Sequence, residues 1–376
     1  MGIDALIVGG GVIGLAAAYR LADDGLRVRL LDASGGRGAS WAAAGMLAPV
    51  SEATFGETEL TRLNLAAIPA FARLVTELEA RTGQQAGLSG GGTLVVAFNA
   101  DDKAALDRLT SWRSSLGLAT ESLTGSAARA AEPYLATGVR AGVLAAEDLS
   151  VDNRSYLDVL GQACRSVGVQ LDQAQVARLT RHGERVTGVQ LDSGETVDAA
   201  ITVLCSGAAT EQLLPIGVLP VKGQILRLAV PPRLQAGGPV LRRTVRGLVR
   251  GNEVYLVPRD TGEVVVGATS EQLGHDTTVT AGGLYQLLRD AYELLPISSE
   301  FSFVEARAGS RPGTPDNGPL LGQYQPGLLV ATGHYRNGIL LSALTAEAVA
   351  SLAAGRPVAQ EWQPFDARRF ANSNQG

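Results

Sequence analysis

The chain opens on a short apolar run, Asp4-Ala-Leu-Ile-Val8, which reads as a strand buried on both faces. A glycine cluster interrupts it. Leu15 to Asp24 then shows helical spacing and stops at Gly25. Arg27–Leu31 is a second strand, and Asp32 ends it. Strand, glycine turn, helix and strand within about 30 residues make a βαβ unit. Helical periodicity recurs over 57–80, Lys103–Leu116, Arg154–Val167, Gly283–Leu295 and Ile339–Ala354. Strand patterns cover Thr93–Phe98, Ala141–Ala146, Arg185–Leu191 and Thr196–Leu204, the last two flanking the turn Asp192-Ser-Gly194. From Leu219 to Ala268 the pattern is almost all β: Val221–Val230, Pro239–Val245, Asn252–Val257 and Glu263–Gly267. Phe301–Glu305 and Gly327–Ala331 add two more strands, and the polar tail Ala371–Gly376 is expected to fray.

A βαβ unit at one end and a strand–turn–helix signal near the other predict an α/β fold. The expected architecture is a discontinuous nucleotide domain with a β-rich domain inserted into it. The expected division gives 1–85, 141–218 and 301–376 to the nucleotide domain, and 86–140 and 219–300 to the insert.

Composition narrows the function. Thirty-two Lys and Arg against 37 Asp and Glu leave a formal charge of −5, without a basic block to neutralise phosphates, so nucleic acid is set aside. Hydrophobic content of 45% with 18% charged residues is that of a globular chain. No apolar run is long enough for a membrane span. The apolar start lacks a basic leader and runs into glycines, so a strand is expected there rather than a signal peptide, and a cytoplasmic location with it. Two cysteines, Cys164 and Cys205, and three histidines supply neither a disulfide framework nor a zinc set, so no metal is expected.

Gly9, Gly11 and Gly14 fit G-x-G-x-x-G. The first glycine allows the tight turn, the second lets backbone approach a pyrophosphate, and the third lets helix and strand pack closely. With 46 glycines in 376 residues the bare pattern is weak, so its place between strand and helix carries the argument. Val12 and Ile13 would then sit at a helix N-terminus whose N–H groups and dipole favour an anion. Asp32, 18 residues past Gly14, is placed to accept from adenosine ribose hydroxyls, and an acid there disfavours NADP. Arg37 to Leu47 follows as a loop of small, mostly uncharged residues, suited to packing backbone against a large flat cofactor.

At this point the chain resembles the D-amino acid oxidase and glycine oxidase group of glutathione-reductase-like flavoproteins. The resemblance runs through Val8-Gly-Gly-Gly-Val-Ile-Gly14 with Asp32, Ala39-Ser-Trp-Ala-Ala-Ala-Gly-Met-Leu47, Val221-Lys-Gly-Gln224 and Val254-Tyr-Leu-Val-Pro258. It continues through Gly309-Ser-Arg-Pro-Gly-Thr-Pro-Asp316 and Ala331-Thr-Gly-His-Tyr-Arg-Asn-Gly-Ile-Leu340. The alanine–glycine–methionine block and the last two motifs look most like glycine oxidases of thiamine biosynthesis. The resemblance implies FAD held noncovalently, since no cysteine lies at Gly309-Ser-Arg311, where monomeric sarcosine oxidases tether their flavin. It also implies a Rossmann-like FAD domain with an inserted α+β substrate domain built on a large antiparallel sheet, and a homotetramer, with a small amino acid and O2 as the reacting partners.

By the same resemblance, Arg311 holds the substrate carboxylate, Tyr255 adds its hydroxyl, Arg336 stands at the edge of the site and Met46 lines the pocket. A guanidinium suits a carboxylate because two parallel charge-assisted bonds form, worth about 1.5–3 kcal/mol. The cofactor is expected against Gly9, Gly11, Val12, Ile13, Gly14 and Asp32, and against Ala43, Ala44, Gly45 and Met46. Val176, Ser206, Gly207, His334, Arg336, Asn337, Gly338, Ile339 and Leu340 complete the expected set. Relatives can carry histidine two positions before the tyrosine. Glu253 stands there instead and is expected to point away or sit at the rim. The expected reaction is oxidation of glycine, sarcosine or small D-amino acids by hydride transfer from Cα to flavin N5, with the imine hydrolysing to glyoxylate and ammonia and O2 reduced to H2O2. A sarcosine or D-amino acid dehydrogenase or oxidase of amine catabolism, and a nucleotide-binding module without catalysis, remain the rival readings.

Overall fold

The computed structural model describes residues 2–249 and 251–371, so the tail beyond Ala371 lies outside the described residues. The first strand, Ile3–Val8, lies inside a sheet between two parallel neighbours, Val28–Leu31 and Thr196–Leu204. Val8 is in register with both Leu31 and Leu204, so three carboxyl ends finish together beside the glycine turn. Gln170–Asp172 extends the sheet on one side. On the other side Thr196–Leu204 serves two neighbours. Its start pairs antiparallel with Arg185–Leu191, and its end pairs parallel with Leu328–Thr332. Helices Val12–Asp23, Thr58–Thr82, Asn153–Ser166 and Gly338–Ala353 bury one face of this sheet in a common apolar core.

The second sheet has eight strands, ordered Ser302–Gly313, Leu219–Ala229, Glu263–Gly267, Asn252–Pro258, Thr244–Val249, Thr93–Ala97, Ala141–Ala145 and Glu121–Thr124. All its pairings are antiparallel except Thr244–Val249 with Thr93–Ala97. Helix Ala281–Leu294 covers one face through Leu287, Ala291 and Leu294. Its opposite face looks toward the first sheet. Ala141–Ala145 and Ser302–Gly313 therefore belong to the second sheet, whereas the sequence-based division placed both in the nucleotide part. Their apolar alternation is the same in either sheet, and only pairing partners decide between them.

One expected strand is displaced. Pro239–Val245 was read as β, but the ladder begins at Thr244. Val240 and Leu241 are buried in the second core without pairing. The Arg242 N–H is taken by the buried carboxylate of Glu132 at 3.2 Å, which also accepts from Arg243 Nε at 3.0 Å. Glu132 is fully buried, so removing it strands a guanidinium and a backbone N–H at once. Glu132→Ala is expected to cost about 3–5 kcal/mol, read as a lower denaturation midpoint in urea.

Candidate active site

A continuous cavity of about 970 Å3 runs between the two sheets. Gly9, Gly11, Val12, Ile13 and Asp32 line it from the end of the first sheet, and Tyr255, Arg311 and Arg336 line it from the second sheet and the turn before the last long helix. Gly9 has φ of 108°, and a Cβ there would meet the Cys205 carbonyl oxygen at 2.5 Å. A Cβ on Gly14 would overlap the Gly9 carbonyl oxygen, so helix and strand touch through backbone alone. Gly11 differs, for its Cβ would meet only the Ser40 hydroxyl at 3.3 Å. Gly9 thus sits in a tight turn with positive φ, Gly11 leaves the backbone open, and Gly14 lets helix and strand pack closely.

Asp32 accepts from the Gly10 N–H at 3.0 Å, the Gly36 N–H at 2.7 Å and the Ser34 hydroxyl at 2.9 Å. A carboxylate offers about four acceptor positions, so about one is left for a ribose hydroxyl. Ser40 accepts from the Val12 N–H at 3.1 Å. Sequence reading missed Ser40, although a hydroxyl in a small-residue loop after the second strand is a visible signal. A glycine cradle at a helix start, an acid at the end of the next strand and a long cavity beyond fit the expected FAD.

The loop of small residues lies along the cavity, with Ala43, Ala44, Gly45 and Met46 on its wall. Gly45, at φ 72°, has no room for a Cβ against the Val151 carbonyl. Val176, Ser206, Gly207, His334, Gly338 and Ile339 also line the wall. Gly14, Asn337 and Leu340 do not. Leu340 is buried in the first core, and the Asn337 N–H donates to the His334 carbonyl at 2.9 Å. Their part is to shape the turn and seat the helix that presents Gly338 and Ile339.

Tyr255 and Arg311 come from strands separated by two others, and two glycines make space for them. Gly267 lies opposite Tyr255 in the ladder, and a Cβ there would overlap the phenol ring. A Cβ on Gly223 would overlap the Arg311 guanidinium. Arg311 Nη1 donates to the Thr269 carbonyl at 3.3 Å. Burial raises the Tyr255 pKa, while the Arg311 cation pulls it down, and the phenol stays protonated. Neither glycine was singled out from sequence, because nothing in the chain marks which glycine faces a side chain on the neighbouring strand.

Arg246 and Glu52 were also missed. Arg246 stands opposite Tyr255 in the neighbouring strand and pairs with Glu52 at 3.1 Å, both side chains largely buried on the cavity wall. Glu253 is exposed at the rim, as expected, and lies 3.7 Å from Arg336 and 3.8 Å from Arg246. The Tyr335 N–H donates to the Pro312 carbonyl at 3.0 Å, which ties the turn bearing Arg336 to the strand bearing Arg311.

His334 is buried, with Nε2 3.0 Å from the Thr345 hydroxyl. Burial pushes its pKa from 6.5 down to about 3, so it is neutral at physiological pH. A native pKa below the unfolded one means that the unfolded state binds the extra proton, and stability falls as pH drops from about 6.5 toward 3. His334→Gln is expected to lose less stability than the parent across that window, measured by urea denaturation at stepped pH.

Comparison with known proteins agrees with this geometry. Residues 4–352 match the family model described as DAO, FAD dependent oxidoreductase. The chain is 36% identical to a glycine oxidase of Geobacillus kaustophilus over 377 residues, covering 97% of each. It superposes on a crystal structure of glycine oxidase from that organism with a TM-score of 0.89 at 34% identity, covering 98% of both chains. It is also 36% identical to a bifunctional ThiO/ThiG protein of Synechocystis over 98% of its own length, but spans only 54% of that protein. No helix among the described residues is long and apolar enough to cross a membrane. With the glycine cradle, the ordered cavity and this match over most of its length, the chain belongs to the DAO family of FAD-dependent oxidoreductases.

Proposed function

We propose that the protein oxidises glycine, and with it sarcosine and small D-amino acids, giving an imine that hydrolyses to glyoxylate and ammonia while O2 becomes H2O2. The observation that carries this reading is one cavity joining the nucleotide cradle to Arg311 and Tyr255. The resemblance to glycine oxidases, and the relative named ThiO/ThiG, support a place in making the thiazole of thiamine.

FAD, when bound, supplies a two-electron acceptor that O2 can reoxidise. The chain's own residues do the rest. Arg311 takes the substrate carboxylate, and Gly223 leaves its guanidinium space to lie against the sheet. The protonated phenol of Tyr255 donates a second bond to the same carboxylate. Two fixed donors on one end of a small zwitterion orient its Cα. No residue is required as a strong base, and His334 is poorly placed for the role, being buried and engaged with Thr345. The substrate amine loses its proton to solvent, so kcat/KM is expected to rise with pH toward the amine's own pKa.

Anaerobic addition of glycine to the yellow holoenzyme is expected to bleach the flavin, and air is expected to restore it with stoichiometric peroxide. A flavin that glycine, sarcosine and D-alanine all fail to reduce would sink the proposal. Arg311→Ala leaves a carboxylate without its partner, at a cost of about 2–5 kcal/mol, which is roughly 30-fold to several-thousand-fold in kcat/KM. Gly223→Ala is expected to do the same in part by pushing the guanidinium aside. Both variants should keep their flavin content, measured by absorbance.

A further inference from the structure

Four charged side chains on the substrate side of the wall form a chain of ion pairs. Glu52 meets Arg246 at 3.1 Å, Arg246 meets Glu253 at 3.8 Å, and Glu253 meets Arg336 at 3.7 Å. All four line the same cavity. Two anions and two cations cancel, so these four side chains together carry no net charge. Arg311 stands apart. Among the described residues no carboxylate lies within ion-pair distance of it, and its polar contacts are the Thr269 carbonyl and the Tyr255 phenol. Among the described residues Arg311 is therefore a guanidinium without an ion-pair partner, available to one carboxylate.

We propose that Glu253 is a specificity-determining residue that restricts the enzyme to amino acids with a single carboxylate. This rests on the amino acid oxidase reading above. Glu253 occupies the guanidiniums of Arg246 and Arg336, the two cations that a second anionic group would need. An N-carboxymethyl or acidic Cα substituent reaching the rim meets guanidiniums already paired and a carboxylate of its own sign. Discrimination of this kind works by repulsion of the wrong ligand as much as by attraction of the right one. Arg246 has only 13% of its side chain exposed, so its field is weakly screened by water. Glu52 keeps Arg246 paired when Glu253 is neutralised. These side chains then change from net zero to a single positive charge, left on Arg336.

The test compares kcat/KM for glycine, iminodiacetate and N-ethylglycine in the parent, Glu253→Gln and Glu253→Gln/Arg336→Gln holoenzymes. Glu253→Gln is expected to raise the iminodiacetate-to-glycine ratio at least tenfold, mainly through KM. The gain is expected to shrink as salt is added and to vanish in the double variant. N-ethylglycine, similar in reach but uncharged there, is expected to gain less than threefold. A ratio within twofold of the parent, in an enzyme that oxidises glycine, overturns this proposal alone. Equal gains for both N-substituted substrates overturn it too, because relief of bulk would then explain them. A parent that oxidises no small amino acid overturns the functional reading and this one with it. Glu253→Ser provides a second neutral variant should the glutamine form prove unstable.

Discussion

One buried amide holds the two halves of the site together. Asn153 has no exposed surface, and both ends of its side chain are used. Its nitrogen donates to the carbonyls of Ser40 at 2.9 Å and Trp41 at 3.0 Å. Its oxygen accepts from Arg227 at 3.0 Å and Arg259 at 3.4 Å. Ser40 and Trp41 belong to the loop that borders the cofactor cavity, whereas Arg227 and Arg259 belong to the second sheet or follow directly on its strands. Arg259 also donates to the Ala44 carbonyl at 2.5 Å, and Arg227 is held by Glu263 at 2.8 Å. Burial pulls the Arg259 pKa down to about 10, which still leaves it charged at neutral pH. Unmet polar groups at such a site cost the full desolvation penalty, so loop, helix start and sheet are fixed as one unit.

The outer side of the same loop is fastened separately. Arg154 lies over the Trp41 ring, 4.6 Å from its centroid, and pairs with Glu305 of the second sheet. Farther along, Asp148 is buried and accepts the N–H groups of Val50 and Ser51, while Arg113 donates to the carbonyls of Ser51 and Ala53. These bonds set the position of Glu52 between them, and with it the charge pattern at the cavity rim. Polar residues elsewhere satisfy the loop's backbone, so its own side chains need not. The cavity wall is consequently made of main chain and short side chains, which lets a planar ring system lie close.

Much of this was legible from the chain, and the limits have physical causes. Arg185–Leu191, Thr196–Leu204 and Glu263–Gly267 lie where the hydrophobic alternation put them, since each fills a place in a ladder with an apolar face. The short strands Leu149–Val151 and Gln170–Asp172 went unread, because three residues carry no periodicity. Pro239–Val245 shows the opposite failure. Apolar residues there are buried by loop packing while a carboxylate takes the backbone donor. Of the site, motif order singled out Asp32, Tyr255 and Arg311, which line one cavity, but Gly223, Gly267 and Arg246 emerged only from strand pairing and Glu52 from the loop bonds around it.

The sequence by itself determined the nucleotide cradle, because its parts are neighbours in the chain: strand, three glycines, helix and an acid at the end of the next strand. It also determined that the middle of the chain is β-rich, since alternation is a local property. Only the tertiary structure decided how Ser302–Gly313 and Leu219–Ala229 pair, and hence that Gly223 opens a slot for Arg311. Only it decided that Glu253, at the end of one ladder, neutralises cations from a neighbouring strand and from the turn before the last long helix. Contacts between residues distant in the chain depend on register and sheet order, which hydrophobic pattern constrains only as to face.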